Sequence, residues 1–383
     1  MKTDTKIAIL IRHYNPSGGG AERYAVELTK QLATQFEVHL FSQTIEKGES
    51  NSSSNITFHT IPQYLKRPRY LNQLLFSWST RRATKGKFDI VHSHDMVTHA
   101  NVYTLHVPCV KTRWSEAEGW RKWLRWLNTI ISPRKLAYLW LEKVQITPKA
   151  GKQLIAVSEY LTRNIVMNYP KTKGTITIAY PGIHPNNNPY IKLRTADQPF
   201  RLLAVANDFK RKGVQRVIDA MEQLNQPDIQ LTIAGSGNPN SLRIPSSLQK
   251  NIQFLGSVKS LNEIYQAADC LIHPTLVDTY GMVALEAMSY HLPVIVSNKN
   301  YCGFSEHLSE SNALLLTDPT DSKEIAKKIN LLYTDRELSS KIASNGFDKS
   351  QTINWDKTLR QTLVAYNLIL KEQKNAKRNY CTR

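Results

Sequence analysis

The chain begins with an apolar run, Lys6–Arg12 ("KIAILIR"), followed by the polar, glycine-rich "HYNPSGGG" and then by "AERYAVELTKQLA" (Ala21–Ala33). In the last of these, apolar residues recur at three- and four-residue steps. This order predicts a buried strand, a loop and an amphipathic helix. It then repeats. "FEVHLFS", "FDIVHSHD" (Phe88–Asp95) and "QLIAVSEY" (Gln153–Tyr160) read as further strands, the last running into the helix of "YLTRNIVMNY". Three prolines and three asparagines crowd "ITIAYPGIHPNNNPY" (Ile176–Tyr190), which predicts a linker. A second series follows. "FRLLAVA", "IQLTIAG", "IQFLG", "DCLIHP" and "PVIVS" are its strands; "KGVQRVIDAMEQL", "LNEIYQAA" and the stretch after "DCLIHP" are its helices. Strands alternating with helices at this spacing predict an α/β protein of two Rossmann-like domains facing across a cleft. The expected domains are 1–176 and 177–356, with 357–383 as a closing helix and a charged, frayed tail. Open α/β sheets bind ligands beyond the carboxyl ends of their strands, so candidate chemistry is sought there.

The length of 383 residues and the 41% apolar content suit two cores. No apolar run reaches the roughly 18 residues of a membrane span, and the first strand is too short for a signal segment. Cys109, Cys270, Cys302 and Cys381 show neither zinc-ligand nor disulfide-framework spacing. These features predict a cytoplasmic protein, in which the N-x-[ST] sequons at Asn51 and Asn55 carry no meaning. The net charge of +19 is uneven: residues 1–180 hold 26 Lys+Arg against 12 Asp+Glu, and the remainder 24 against 19. An excess in the first half favours an anionic partner, whether nucleic acid, membrane surface or phosphorylated substrate, over a generally basic surface.

Two loops have the makings of phosphate contacts. Gly18, Gly19 and Gly20 lie between a strand and a helix start, where glycines admit a close ligand and free amides attract anions. A plain tight turn explains them equally well, since the dinucleotide and P-loop patterns are both absent. In "NDFKRKGV" (Asn207–Val214), Lys210, Arg211 and Lys212 follow a strand and precede a glycine-started helix. Cations there suit a diphosphate, and the alternative is a solvated charged loop.

"HPTLVDTYGMVALEAMSYHLPVIVS" (His273–Ser297) sets Asp278 and Glu286 eight positions apart, with Gly281 between them. As a continuous helix, eight residues would rise about 12 Å. Carboxylates flanking one anomeric carbon need roughly 5–9.5 Å. The spacing fits a grip on two ends of a sugar nucleotide: Asp278 on sugar hydroxyls, amides around Gly281, Met282 and Val283 on phosphate, Glu286 on ribose. Asp278 could otherwise serve as a helix cap. Glu286, among the apolar residues of "VALEAM", is hard to assign to open solvent.

At these residues the chain resembles the retaining GT-B glycosyltransferases of family 4, whose signature is a carboxylate, seven residues and a Glu. "DTYGMVALEA" looks like that signature with Asp278 in first place. "PSGGGAERYAVELTKQLA", "YPGI", "GSVKSLNEIYQAADCLIHPT" and "INWDKTLRQTLVAYNLI" resemble the family's first loop and helix, linker, base-side loop and closing helix. "NDFKRKGV", "YPGIHP" and "CGFSEHL" look closest to the lipopolysaccharide core glucosyltransferases. The resemblance implies a nucleotide-sugar donor, UDP-glucose or similar, and a lipid-linked glycan acceptor such as lipopolysaccharide inner core. It also implies roles. Lys212 and Arg211 neutralise the pyrophosphate, Gly18 and Gly19 approach it, Glu286 binds ribose, Asp278 binds sugar hydroxyls, and His106 in "VYTLHVPC" lies near the sugar and the acceptor. His92 and His94 are runners-up. Two departures stand out: Ala206 and Asn207 replace the family's usual Arg region, and Asp278 replaces a Glu. The implied reaction retains anomeric configuration, with the leaving diphosphate taking the acceptor's proton and catalysis mostly by positioning and electrostatics. No D-x-D is present, so no metal cofactor is expected.

Five of the seven tryptophans fall between residues 114 and 140. Trp120, Trp123, Leu124, Leu127, Ile130 and Ile131 share one helical face, flanked by Arg121, Lys122 and Arg125. Such a face describes an interfacial helix on anionic lipid, or else a helix packed on the first domain. "RKLAYLWLEK" reads as a second such helix. The expected enzyme is peripheral on the inner face of the cytoplasmic membrane. A basic nucleic-acid-binding protein is the alternative of another class, but no recognition motif supports it. An epimerase or a free glycogen-type synthase would leave the tryptophan-rich segment idle.

Overall fold

The computed structural model describes residues 5–46, 55–112, 123, 132–184 and 198–381. They form two units, Met1–Pro181 with Trp355–Arg383, and Gly182–Asn354.

The strands of the first unit are β1 (Lys6–Leu10), β2 (His13–Tyr14), β3 (Glu37–Ser42), β4 (Thr44–Ile45), β5 (Ile56–Thr60), β6 (Ile90–Ser93), β7 (Val102–Leu105), β8 (Gln153–Ala156) and β9 (Ile176–Ile178). Seven of them make one parallel sheet in the order β5-β3-β1-β6-β7-β8-β9, and β2 and β4 form a small separate ladder. Ile7, Ala8, Ile9 and Leu10 are wholly buried, as the unbroken apolar run requires of a central strand covered on both faces. Ile7 pairs with Val38 on one side and Ile90 on the other. The chain turns outward from β1 to β3 and returns at β6, so the switch point of this sheet lies between β1 and β6.

Helices α1 (Gly20–Ala33), α2 (Arg69–Thr84), α3 (Pro133–Ile146) and α4 (Glu159–Asn168) connect these strands. Helix α2 escapes hydrophobic patterning because its buried face is largely polar: Asn72, Gln73, Ser77, Thr80 and Thr84. Asn72 and Gln43 satisfy each other through two amide hydrogen bonds of 2.9 and 3.0 Å, which makes that burial tolerable. Ser132 caps α3 and Pro133 takes its first position, so this pair starts a helix.

Two expectations are corrected here. The stretch from Ile176 begins with a strand, because Ile-Thr-Ile alternates and needs only β8 as a neighbour; Ala179 extends the ladder to Ala156 at 3.0 Å. The tail is no frayed end, since the closing helix runs from Trp355 to Cys381. Glu372 accepts from the Gly151 amide at 2.6 Å and Gln373 donates to the Asp89 carbonyl at 3.1 Å, which ties the polar tail to the first unit. Further up, Trp355 meets Tyr24 edge-on, and Thr358 donates to the Tyr180 carbonyl at 2.6 Å.

The second unit has β10 (Phe200–Val205), β11 (Ile229–Ala234), β12 (Ile252–Gly256), β13 (Cys270–His273), β14 (Val294–Ser297) and β15 (Leu314–Leu316), all parallel in the order β12-β11-β10-β13-β14-β15. Its helices are α5 (Val214–Leu224), α6 (Asn262–Ala267), α7 (Met282–Met288), α8 (Ser322–Thr334) and α9 (Arg336–Gln351). Leu202, Leu231, Ile233, Ile272, Ile295, Ile325 and Ile329 lie in its core. Here the switch point falls between β10 and β13. The loop after β10 carries Lys212 and the loop after β13 carries Asp278, so the topology brings these two sequence-distant residues together.

Candidate active site

In the second unit the two switch-point loops touch. Gly213 has φ +70°, and a Cβ there would lie 2.1 Å from the Pro274 carbonyl oxygen, so only glycine permits the approach. The Lys212 ammonium reaches Asp278 Oδ2 in a part-buried ion pair. The same oxygen lies 3.0 Å from His273 Nε2, and Asp278 Oδ1 accepts from the Tyr280 amide at 3.3 Å. The backbone is fixed as well. The Asp278 amide donates to the Tyr301 carbonyl at 2.8 Å, and the Gly303 amide donates to the Asp278 carbonyl at 3.0 Å. Burial alone would raise the Asp278 carboxyl, but the Lys212 ammonium and the His273 hydrogen bond hold it well below the usual range. His273 is depressed by burial and then by Lys212, and is neutral at pH 7.

Helix α7 starts only at Met282, with Gly281 at φ +101°; the carboxylates of Asp278 and Glu286 are therefore not on one continuous helix. A Cβ on Gly281 would lie 2.6 Å from Cys302 Sγ. Glu286 is buried at 8% exposure, and Tyr265 on α6 donates to its Oε2 at 3.0 Å. Tyr265 in turn stacks on Tyr290 with ring centroids 5.4 Å apart. Arg211 is half-exposed beside Asp208, its guanidinium 3.8 Å from that carboxylate.

Among the described residues, His273, Asp278 and Cys302 also bring one possible metal-ligand atom each to within 4.8 Å of one another. The Lys212 ammonium already supplies the positive charge at Asp278 Oδ2, so an ion held by these ligands would have to displace it.

In the first unit, described by itself, Gly18, Gly19 and His106 all lie at the carboxyl edge of the sheet. The Gly19 amide donates to Glu22 Oε2 at 2.9 Å, and a Cβ on Gly18 would strike the same oxygen at 1.8 Å. Glu22 thus closes the start of α1 on itself, and a side chain at Gly18 would require the Glu22 carboxylate to move aside. His106 follows β7 and joins two further histidines: its Nε2 lies 3.0 Å from His94 Nδ1, and His92 lies 4.5 Å from His94 between ring centroids. Tyr24 meets His106 edge-on at 5.0 Å. His92 is held between Tyr366 Oη at 2.8 Å and Thr104 Oγ1 at 2.7 Å. Burial depresses all three, His92 to about 3, His106 to about 4 and His94 well below its ordinary value, so the cluster is uncharged at neutral pH.

Two sequence patterns match the chain, one described as "Glycosyltransferase Family 4" over residues 18–187 and one as "Glycosyl transferases group 1" over residues 191–349. The chain belongs to the family-4 glycosyltransferases. Its fold is GT-B: the solved structure of WaaG, a glycosyltransferase involved in lipopolysaccharide biosynthesis, matches with a TM-score of 0.75 over 94% of this chain and 99% of that one, at 20% identity. In sequence, the lipopolysaccharide glucosyltransferase WaaG of Escherichia coli is 21% identical over 88% of this chain and 92% of its own. A D-inositol 3-phosphate glycosyltransferase of Pseudarthrobacter chlorophenolicus is 25% identical over 94% and 95%. The structure of Anabaena HepE in complex with UDP-glucose matches with a TM-score of 0.69 over 97% and 99%, at 16% identity.

The catalytic and donor-binding candidates named from the sequence are therefore divided by the fold. Arg211, Lys212, Asp278, Gly281, Met282, Val283 and Glu286 belong to the second unit, and Gly18, Gly19 and His106 to the first. Sequence reasoning missed His273 and Tyr265, which hold the two carboxylates. The place of His273 as the last residue of the "DCLIHP" strand was a usable signal, whereas Tyr265 gave none. Of the interfacial candidates, Trp120, Arg121, Lys122 and Arg125 lie outside the described residues; Trp123 is helical and 60% exposed. Helices α2 and α3 pack against each other, and expose Leu71 and Trp78 on the first and Leu136 and Trp140 on the second. Arg82 sits over the Trp78 ring at 6.0 Å. No helix among the described residues is long and apolar enough to cross a membrane.

Proposed function

We propose that this glycosyltransferase moves a hexose, with retention of anomeric configuration, from a nucleotide-diphosphate sugar to a lipid-linked glycan such as a lipopolysaccharide inner core. UDP-glucose is the first choice of donor, and no metal takes part. The observation that carries the reading is the second unit's switch point, where one part-buried cation, Lys212, and two held carboxylates, Asp278 and Glu286, surround a glycine-started helix. Lys212, with Arg211 beside it, stabilises the departing diphosphate; Glu286 accepts from the ribose hydroxyls; the sugar ionises towards an oxocarbenium ion. A diphosphate oxygen then takes the proton of the attacking hydroxyl on the same face, so no side-chain nucleophile is required. His106, uncharged, serves as a hydrogen-bonding group near the sugar and the acceptor. The likeness to HepE with UDP-glucose supports the donor, and the likeness to WaaG supports the acceptor.

The cationic, tryptophan-bearing surface of α2 and α3, together with Trp123, supports a peripheral enzyme on anionic lipid at the cytoplasmic face of the membrane. The likeness to D-inositol 3-phosphate glycosyltransferases favours a second reading, in which the acceptor is a different phosphorylated molecule.

The test is nucleotide release from UDP-, GDP- and ADP-sugars, with and without EDTA, by the wild-type protein and Glu286→Ala. Release from UDP-glucose that survives EDTA and falls at least roughly a hundredfold in the variant is expected, since the lost contact positions the donor. Failure to bind or turn over any of the three donors refutes the reading. Loss of activity in EDTA refutes its metal-independent part.

A further inference from the structure

Asp278 is one methylene shorter than the glutamate it replaces in the family signature, and in this chain its Oδ2 is already shared between two partners. One is Lys212 and the other is His273. Its Oδ1 faces the Tyr280 amide. A carboxylate so engaged is arranged to hold a cation. His273 itself is 1% exposed at the end of β13, and its carbonyl accepts from the Thr275 amide at 2.8 Å, so both its backbone and its ring are fixed. Because Asp278 is an ionised acceptor, His273 can meet it only as a donor, which sets the neutral imidazole as the Nε2–H tautomer.

The neighbours show why this matters for Lys212. A lysine ammonium on four rotatable bonds is a poorly directed charge, and aiming it at a diphosphate costs side-chain entropy. Here the ammonium has one anchoring oxygen, that oxygen is fixed by an imidazole, and the loop is closed by backbone bonds to Tyr301 and Gly303. Gly213, immediately after Lys212, admits no side chain. The ammonium keeps two protons beyond the one given to Asp278, which suffices for an incoming phosphate.

We propose that His273 is a positioning residue for the transfer reaction: its Nε2–H fixes Asp278, and Asp278 holds the Lys212 ammonium at the place where the donor diphosphate arrives. Asp278 thereby acts as the anchor of the phosphate-binding cation. The proposal rests on the donor reading given above.

The experiment compares UDP binding, by calorimetry on the full-length protein, in the wild type, His273→Leu and His273→Gln. Gln places an amide donor near the position of Nε2, whereas Leu fills similar volume without one. The expected result is a loss of roughly tenfold or more in UDP affinity for Leu, the usual scale for removing a partner that orients a ligand-binding group. Gln should recover most of it, and kcat should fall with Leu by a similar or larger factor. Equal affinities in all three proteins overturn the proposal while leaving the donor reading intact. Equal losses in Leu and Gln, tracking a fall in Tm, assign His273 to packing alone. No UDP binding by the wild type overturns the donor reading, and this one with it. Should His273→Leu fail to fold, nitrogen-15 imidazole spectra of the wild type decide. An Nε2–H signal for His273 that changes in Asp278→Asn is expected, and an Nδ1–H tautomer refutes the hydrogen bond.

Discussion

Gly281→Ala tests the geometry of the site most directly. The residue sits at φ +101°, where an L side chain costs about 1–3 kcal/mol. The added Cβ would lie 2.6 Å from Cys302 Sγ, against roughly 3.5–4.0 Å for ordinary contact, so something must move by about 1 Å. Cys302 is wholly buried and its backbone bridges to Asp278, which directs that movement into the anchor of Lys212. Overpacking of this kind costs about 1–3 kcal/mol more. The sum is about 2–6 kcal/mol, equivalent to a fall in Tm of roughly 5–20 °C for a unit of this size. Urea unfolding of Gly281→Ala, Cys302→Ala and the double variant separates the two contributions. Cys302→Ala alone should cost about 1 kcal/mol for the lost sulfur. In that background Gly281→Ala should cost only the backbone part, a coupling of about 1–3 kcal/mol. UDP affinity should fall in Gly281→Ala and partly return in the double variant. A single variant within about 0.5 kcal/mol of the wild type, or the same cost in both backgrounds, would refute the reasoning; about 0.5 kcal/mol is the scatter expected of independent sites.

Acid should weaken the first unit through its histidine cluster. The folded pKa values of His92 and His106 lie at about 3 and about 4, so in the unfolded chain, where histidine titrates near roughly 6.5, these rings bind protons first. Stability is then full above about pH 6.5 and falls as pH drops through that window, by up to about 1.4 kcal/mol per ring per pH unit. Unfolding midpoints at pH 7.5 and 5.5 check this, and His106→Asn should flatten the slope; equal midpoints would contradict it. At the surface, Trp78→Ser combined with Trp140→Ser should weaken binding to vesicles containing phosphatidylglycerol by roughly tenfold or more and leave soluble-donor hydrolysis unchanged. Undiminished vesicle binding would remove α2 and α3 from the lipid-facing surface.

The sequence by itself determined the alternation of strands and helices, because strands buried on both faces must be continuously apolar and amphipathic helices must repeat every 3.6 residues. It also marked Lys212, Asp278 and Glu286, since cations after a strand and carboxylates around a glycine are costly unless used or paired. Polar burial hid α2, where amides replace the apolar stripe, and alternation over three residues was too short to claim β9 from the linker. Only the tertiary structure decided which charges meet. Lys212 and Asp278 are 66 positions apart and are joined because β10 and β13 are neighbours at a switch point. His273 and Tyr265 acquired their roles in the same way: a hydrogen bond depends on distance and direction in space, and neither leaves a period in the chain.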